Sequence, residues 1–466
     1  MVNLFRHNIP AATLLQLLIE AGLFFFTVLV AVKLQRHAAI LSEPGILAPA
    51  AIFAALMVCI NGAFGLYRRD YRLDFVNFVA RSIVALFVGF LVSYAAFGAF
   101  RYGDIFQDAL WYTMLYALAG LVVVQQLLVL PLARLVFPHR LLVVGTGPDA
   151  RAVEELLSEA NQPNLKLMGF YAIDRNAPPM VASQRILAPG FPIDQAVSRL
   201  GVDEVVIAVR ERRGGVLPLK QLLSCRVSGV RVTDFAGFFE RVRGEVPVDS
   251  LKHRMSWLIF SDGFRQRGAR NAVKRAFDIV TALCLLALGA PIMALAALAI
   301  ALESGAPIIY RQERVGAHGR KFRNFKLLKF RSMVSDAEPD GTPRWAAIDD
   351  VRVTRVGRIL RRLHIDELPQ LVNVLKGEMS FVGPRPERPE FVEDLTEKIP
   401  YYSLRHSVKP GITGWAQVRC AYGASVEDAV RKLQFDLYYV KNHTFFLDLL
   451  ILLETVRVVL FAEGSR

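Results

Sequence analysis

The sequence predicts a membrane protein in three parts: four N-terminal transmembrane helices, a cytoplasmic α/β domain, and a mostly helical C-terminal domain with a re-entrant membrane helix. Three observations predict it. Four apolar stretches near the N-terminus each approach the ~20 residues that a helix needs to cross a bilayer. A central region alternates short strand-like runs with helical segments. A fifth apolar run, 277–302, carries cationic residues on both flanks.

Composition narrows the class. A chain of 466 residues that is 53% hydrophobic, with mean hydropathy +0.35, is too large for one domain and too apolar for a purely soluble protein. The formal charge of +14 suits a polyanion, which can be nucleic acid, anionic lipid or a phosphorylated small substrate. The basic residues adjoin apolar anchors, and Cys59, Cys225, Cys284 and Cys420 have no zinc-ligand spacing, so no nucleic-acid partner is expected.

The four N-terminal stretches occupy 11–32, 46–66, 83–100 and 110–130. The first has no small-residue cleavage site and reads as an anchor. The second connection carries Arg68, Arg69, Arg72 and Arg81, and the fourth stretch exits into Arg134, His139 and Arg140. The third offers Arg101 against Asp104 and Asp108, so positive-inside logic places the N-terminus and everything after Arg134 in the cytoplasm. Glu20, inside the first stretch, is costly in lipid and is expected to face a neighbouring helix.

Residues 1–135 form this transmembrane domain and 136–262 the next one. His139 and Arg140 open a strand that enters a turn, Gly145-x-Gly147-x-x-Ala150, followed by a helix at 151–159. Further strand-like runs at 165–171, 204–209 and 230–233 complete a parallel, Rossmann-like pattern. The Gly145 and Gly147 turn could set N–H groups around a pyrophosphate. Against it, Pro148 lacks an N–H and Asp174 falls late for a ribose contact, so a scaffold or regulatory role is favoured.

The third domain spans 263–466. Its apolar run, 277–302, is long enough to cross a bilayer, about 39 Å as a straight helix. Pro291 sits near the middle, and cations lie on both sides: Arg270, Lys274 and Arg275 before, Arg311, Arg314, Arg320 and Lys321 after. A bent hairpin that enters and leaves one leaflet satisfies both features, with the bend at Pro291. Residues 310–331 hold eight Lys or Arg against Glu313 alone, with aromatic and apolar residues between them, a pattern suited to lipid or phosphate.

A helix at 360–375, interrupted at Pro369, presents His364, Asp366 and Glu367. Adjacent acids on a helix face different sides and suit two tasks, one toward a reacting phosphorus and one toward a metal. A surface acid pair is the plain alternative. At 381–389 two prolines bracket Arg385 and present it with Arg388 on a rigid bend. A second rigid loop, 409–417, ends in Trp415 and Gln417, with Trp415 stacking on a base, dipping into the membrane interface, or buried. The last apolar segment, 445–461, is interrupted by Asp448, Glu454 and Arg457, spaced as a helix lying on the membrane would need.

Lys274-Arg-x-Phe-Asp278, the run from His364 through Asp366-Glu367 to Asn373, Phe381-x-Gly-Pro-Arg-Pro-Glu387 and the 410–417 loop occur in this order. Together they resemble the bacterial sugar transferase family, the monotopic polyprenyl-phosphate glycosyl-1-phosphate transferases of exopolysaccharide and capsule synthesis. The resemblance covers about 274–461. The preceding part is similar to the larger members, whose extra α/β domain is often labelled CoA-binding-like.

The resemblance implies transfer of a sugar 1-phosphate from a UDP-sugar donor to undecaprenyl phosphate, with release of UMP, at the inner membrane. Carried over by motif, Asp366 is the nucleophile and Glu367 positions Mg²⁺, with Asp366 as its second acid. Lys274, Asp278, Arg311, Arg314, Lys329, Arg331, Arg385, Glu387, Arg388 and Gln417 are the phosphate- or substrate-binding set. Self-association into a homodimer through the extra domain is implied in the same way. A non-catalytic scaffold or nucleotide-sensing regulator of polysaccharide assembly is the alternative. So is direct attack by the lipid phosphate in a ternary complex. No short motif distinguishes glucose, galactose and N-acetylated hexoses.

Overall fold

The computed structural model describes residues 2–4, 7–9, 11–34, 47–64, 66, 75–97, 103–124, 139–159, 165–173, 178–187, 191–209, 217–248, 268–318, 322–334, 352–420, 423 and 425–461. Two compact units are present, Met1–Arg243 and Gly244–Arg466. Asp174 and the arginines at 68, 69, 72 and 134 lie outside the described residues.

In the first unit a short antiparallel pair, β1 (Val2–Leu4) and β2 (His7–Ile9), precedes helices α1 (Ala11–Leu34), α2 (Leu47–Ala63), α3 (Phe75–Phe97) and α4 (Gly103–Val123). The four apolar stretches are therefore four helices, the third and fourth beginning seven or eight residues earlier than hydropathy suggests. α1 lies against α2 and α4, and α3 against the same two, around Phe24, Phe53, Met57, Phe97, Leu110 and Leu121. Glu20 does face a neighbour: it accepts from Gln16 at 2.8 Å and from Asn61 of α2 at 3.3 Å. Among the described residues two helical segments are long and apolar enough to cross a membrane, Leu14–Leu34 and Asn271–Ser304. Leu47–Ala63 and Arg81–Phe97 are apolar but shorter.

The α/β part has four parallel strands, β3 (His139–Val144), β4 (Leu165–Tyr171), β5 (Glu204–Ile207) and β6 (Arg231–Asp234), in the order β4-β3-β5-β6. Helices α5 (Pro148–Glu159), α6 (Ile193–Leu200), α7 (Leu219–Val227) and α8 (Phe235–Arg243) cover it. The period of two sends Leu141 and Val143 toward Val153 and Phe238, and Leu142 and Val144 toward Val197 and Leu222. Helices thus lie on both faces, as the alternation predicts.

At the turn, Gly145 has φ +124°, and a Cβ there would run into the carbonyl oxygen of Ala208. Its N–H goes to the Tyr171 carbonyl at 2.9 Å. Pro148 is the first residue of α5, where the missing N–H has no intrahelical partner to lose.

The second unit begins with α9 (Gly268–Ser304), one continuous 37-residue helix, about 55 Å long, that keeps Pro291 in its interior. Its apolar residues are largely uncovered, Leu288 being 74% and Leu302 80% exposed, while Ala296 and Ile300 pack on Phe330 and Leu360. The basic run folds as an antiparallel hairpin, β7 (Ile309–His318) and β8 (Phe322–Phe330).

After it come α10 (Arg355–Arg362), a 3-10 turn (Ile365–Glu367), α11 (Gln370–Lys376) and β9 (Ser380–Val382). Then follow α12 (Pro389–Lys398), a second 3-10 turn (Tyr402–Ser407) and β10 (Gly411–Thr413), which pairs in parallel with β9. The chain closes with α13 (Trp415–Arg419), α14 (Val426–Asn442) and α15 (Phe445–Phe461).

Two expectations need correction. The helix expected at 360–375 is two helices, and the break comes before Pro369: α10 ends at Arg362, and His364 takes the left-handed conformation at φ 55°. Pro369 instead precedes α11 at its N-cap. The charges of α15 are also turned the other way. Asp448 and Arg457 are buried while Phe445, Leu449, Val456 and Val459 are exposed. A tertiary partner holds Asp448 inward, Lys274 of α9 at 2.7 Å, while Arg457 pairs within the helix with Glu454 at 3.0 Å.

Candidate active site

The site grows from the short turn between α10 and α11. A 3-10 turn advances about 120° per residue, so Asp366 and Glu367 face different surroundings. Leu368 and Ile365 seat the turn on α9: the Leu368 methyl lies 3.9 Å from where a Cβ on Gly289 would be, and Ile365 packs with Ala296, Ile300, Phe330 and Leu360. The acids are therefore held beside the exposed apolar helix.

Asn373, fully buried on α11, fastens this turn to β8. Its Oδ1 accepts from the Leu328 N–H at 3.0 Å, and its Nδ2 donates to the Lys326 carbonyl at 2.9 Å and to Glu378 at 2.6 Å. The next residue along β8 is Lys329, whose Nζ donates to Glu367 Oε1 at 2.8 Å. From the opposite side Arg385 Nη2 donates to the same oxygen at 2.8 Å. Burial alone would raise the Glu367 carboxyl; Arg385 and Lys329 overcome it and hold the group well below the usual carboxylate range.

Asp366 is solvated quite differently. It is 7% exposed, and among the described residues its carboxylate makes no hydrogen bond or ion pair. Burial pushes its carboxyl above the ordinary value; Lys329 opposes this, Glu367 adds to it, and Arg361 and Arg385 oppose it. A buried carboxyl with a raised pKa, without a hydrogen bond or ion pair among the described residues and close to Lys329, Arg361 and Arg385, makes Asp366 a candidate functional group.

The other residues singled out by sequence divide into two sets. Arg314 and Glu387 lie just behind Arg385: Arg314 donates to the Pro386 carbonyl at 3.0 Å and sits 3.5 Å from Glu387. Arg311 is exposed on β7, and Arg388 stands at the N-cap of α12, 3.6 Å from Glu390. Gln417 folds back on its own loop, donating to the Ile412 carbonyl at 3.2 Å.

Lys274, Asp278 and Arg331 are not directed at the acids. Lys274 donates to Asp448 at 2.7 Å and to the Val382 carbonyl at 3.2 Å. Asp278 accepts from Ser380 Oγ and the Phe381 N–H, both at 3.1 Å. Arg331 binds the Ser304 and Gly305 carbonyls, each at 2.6 Å, and so closes the C-terminal end of α9. These three fix α9 to the unit. Trp415 is buried, with its indole N–H on the Gly244 carbonyl at 2.7 Å, which decides between stacking and burial.

Among the described residues no three His, Cys, Asp or Glu side chains gather to hold a metal. Mg²⁺ needs fewer protein ligands, one or two carboxylates completed by substrate phosphate and water. Asp366 and the second oxygen of Glu367, Oε2, have no hydrogen bond or ion pair among the described residues and are the carboxylate oxygens such an ion would use.

Residues 269–462 match the family model described as bacterial sugar transferase. An Erwinia amylovora protein named UDP-galactose-lipid carrier transferase is 32% identical over 349 residues, 70% of this chain and 69% of that protein. A Caulobacter vibrioides protein named UDP-glucose:undecaprenyl-phosphate glucose-1-phosphate transferase is 43% identical over 201 residues, 43% of this chain and 74% of its own.

The chain belongs to the bacterial sugar transferase family.

A third relative, from Aeromonas hydrophila, is named UDP-N-acetylgalactosamine-undecaprenyl-phosphate N-acetylgalactosaminephosphotransferase. It is 41% identical over 246 residues, 53% of this chain and 56% of the Aeromonas protein, so the matched stretch spans just over half of that relative. The sugar transferase region includes α9 through α15 almost entirely, and with them Asp366, Glu367, Lys329 and Arg385. Asn373 and Arg361 are contributors to the site that sequence reasoning did not assign. Asn373 lies seven residues beyond Asp366, two helical turns, a spacing that could have suggested a shared face.

Proposed function

We propose that this sugar transferase moves a sugar 1-phosphate from a UDP-sugar to undecaprenyl phosphate and releases UMP, at the cytoplasmic face of a bacterial inner membrane. The observation that carries the reading is the contrast within one turn, a buried Asp366 with no hydrogen bond or ion pair among the described residues next to a Glu367 clamped by Lys329 and Arg385. Support also comes from the relatives, whose names include glucose, galactose and N-acetylgalactosamine donors or carriers.

In the proposed chemistry an Asp366 carboxylate oxygen attacks the sugar-proximal phosphorus. A P–O bond to it forms as the bond to the bridging diphosphate oxygen breaks, and UMP leaves with that electron pair. A phosphate oxygen of undecaprenyl phosphate then attacks the same phosphorus and regenerates the Asp366 carboxylate. Arg385 and Lys329 neutralise charge on the non-bridging and leaving oxygens. Asp366 and Glu367 Oε2 would hold Mg²⁺, whose chemistry there is to draw charge from the diphosphate.

The exposed apolar faces of α9 and α15 are read as the lipid contact, with α9 entering and leaving the same leaflet near Pro291 and α1–α4 spanning the bilayer. The α/β part is read as a scaffold, and self-association of the chain belongs to the same reading. The test is UMP release by purified protein in nanodiscs with Mg²⁺ and a panel of UDP-sugars, with and without undecaprenyl phosphate. Lipid-dependent turnover lost in Asp366→Asn is expected, together with a stoichiometric UMP burst without lipid. Turnover that persists in Asp366→Asn would sink the assignment, and turnover without a burst would favour direct attack by the lipid.

A further inference from the structure

Arg385 sits in a loop whose backbone carbonyls are tied down one after another. The Pro384 carbonyl accepts from the Gly411 N–H at 3.0 Å, Pro386 from Arg314 at 3.0 Å, and Glu387 from the Val315 N–H at 3.0 Å. The Arg385 carbonyl accepts from Nη2 of Arg405 at 3.1 Å. Arg405 is 4% exposed, and every arm of its guanidinium is engaged. Nε and Nη2 hold Asp436 Oδ2 at 2.9 and 2.7 Å, and Nη1 donates to the Tyr402 hydroxyl at 2.8 Å. Asp436, on α14, is 1% exposed.

A buried ion pair is weak evidence for stability, because desolvating both charges offsets most of their attraction. Its geometry is more telling. The fork that holds Asp436 also reaches the backbone of the one loop residue whose side chain clamps Glu367. A planar guanidinium can make these contacts at once from one rigid position; a lysine ammonium, a single point of charge, cannot.

On the transferase reading above, we infer that Arg405, seated on Asp436, is a positioning residue that holds Arg385 against Glu367. Arg405 touches neither acid. It fixes the Arg385 backbone, so the Arg385 guanidinium meets the developing charge without reorganising. A misplacement of about 1 Å at such a group costs on the order of 100-fold in rate.

The test uses the full chain in nanodiscs and two readouts. Arg405→Lys keeps a cation on Asp436 but gives up the reach to the Arg385 carbonyl. It is expected to lower kcat for UMP release about 10- to 100-fold with a smaller change in KM, and to speed amide exchange at Gly383, Arg385 and Glu387. In an Arg385→Ala background the same change is expected to have no further effect on kcat, since residues acting through one another are not additive. Asp436→Glu keeps the buried charge, shifts Arg405 by a methylene, and carries the same expectations if Arg405→Lys folds poorly. Equal loss with and without Arg385, or unchanged exchange in the loop, overturns the inference. Absence of UMP release in the wild type would fail the transferase reading instead, while the exchange data still decide whether Arg405 fixes the loop.

Discussion

Glu204 of the α/β part and Asp366 of the transferase region are both buried acids, and their surroundings are opposite. Glu204 is saturated: Arg241 donates to both of its oxygens at 2.7 Å, Thr233 at 2.6 Å, and His139 lies 3.0 Å away. Burial would raise its carboxyl, but these partners bring it down to about 2. Asp366 has the burial but, among the described residues, no hydrogen-bond or ion-pair partner, and its carboxyl is raised. A saturated buried acid joins strands and helices. An unsaturated one keeps its lone pairs available for a substrate, and the fold tolerates it because Lys329, Arg361 and Arg385 stand close enough to offset part of the desolvation.

The largest expected effect comes from the unsaturated acid. Asp366→Asn should lower UMP release by about 1,000-fold or more while leaving the unfolding midpoint close to that of the wild type, because no protein partner is lost. A large drop in stability instead would make Asp366 a structural group like Glu204.

Glu204→Gln should do the reverse. It leaves Arg241 buried against a neutral group and should destabilise the α/β part by about 3 kcal/mol in denaturant titrations, with turnover per folded molecule unchanged. The pH dependence sharpens the point. The folded pKa of Glu204 lies below its ordinary value of 4.5, so its stabilisation is complete above 4.5 and is lost as pH falls toward about 2. Wild-type stability should fall by about 3 kcal/mol across that window, and Glu204→Gln should largely flatten the slope. A slope unchanged by the substitution would assign the acid sensitivity to another group.

Between the extremes stands Glu367, an acid of the site that is clamped. Lys329→Gln removes one of its two cations and should slow UMP release about 10- to 100-fold, seen mainly in kcat. An effect confined to KM would make Lys329 a contact for bound substrate only. The smallest effect belongs to Trp415→Phe, which removes one buried hydrogen bond to the Gly244 carbonyl and should cost about 1 kcal/mol of stability with little change in turnover.

Local patterns announced much of this. The apolar runs became helices because length and hydropathy are properties of a contiguous segment, and the strands around Gly145 became a parallel sheet because short apolar runs alternating with helical segments are written along the chain. The adjacent acids and the rigid Pro-Arg-Pro bend were legible for the same reason, since a short motif carries its own geometry. Among the candidate residues, the sequence brought forward Asp366, Glu367, Lys329 and Arg385, which the fold does gather.

What the sequence could not express was direction. Asp448 and Arg457 looked like the polar face of a surface helix, and they point inward because Asp448 meets Lys274, a residue 174 positions earlier. Asp278 and Arg331 were marked by motif and charge alone, and nothing in the sequence shows that their hydrogen bonds run to β9 and to the end of α9. Asp436 and Arg405 had no motif to mark them, because their meaning lies in a contact between α14 and a 3-10 turn 31 residues away in the chain. Helix, strand and turn follow from neighbours in sequence, whose interactions are decided within a few residues. The partner of a buried charge follows from which distant segment packing brings within 3 Å, and only the assembled core decides that.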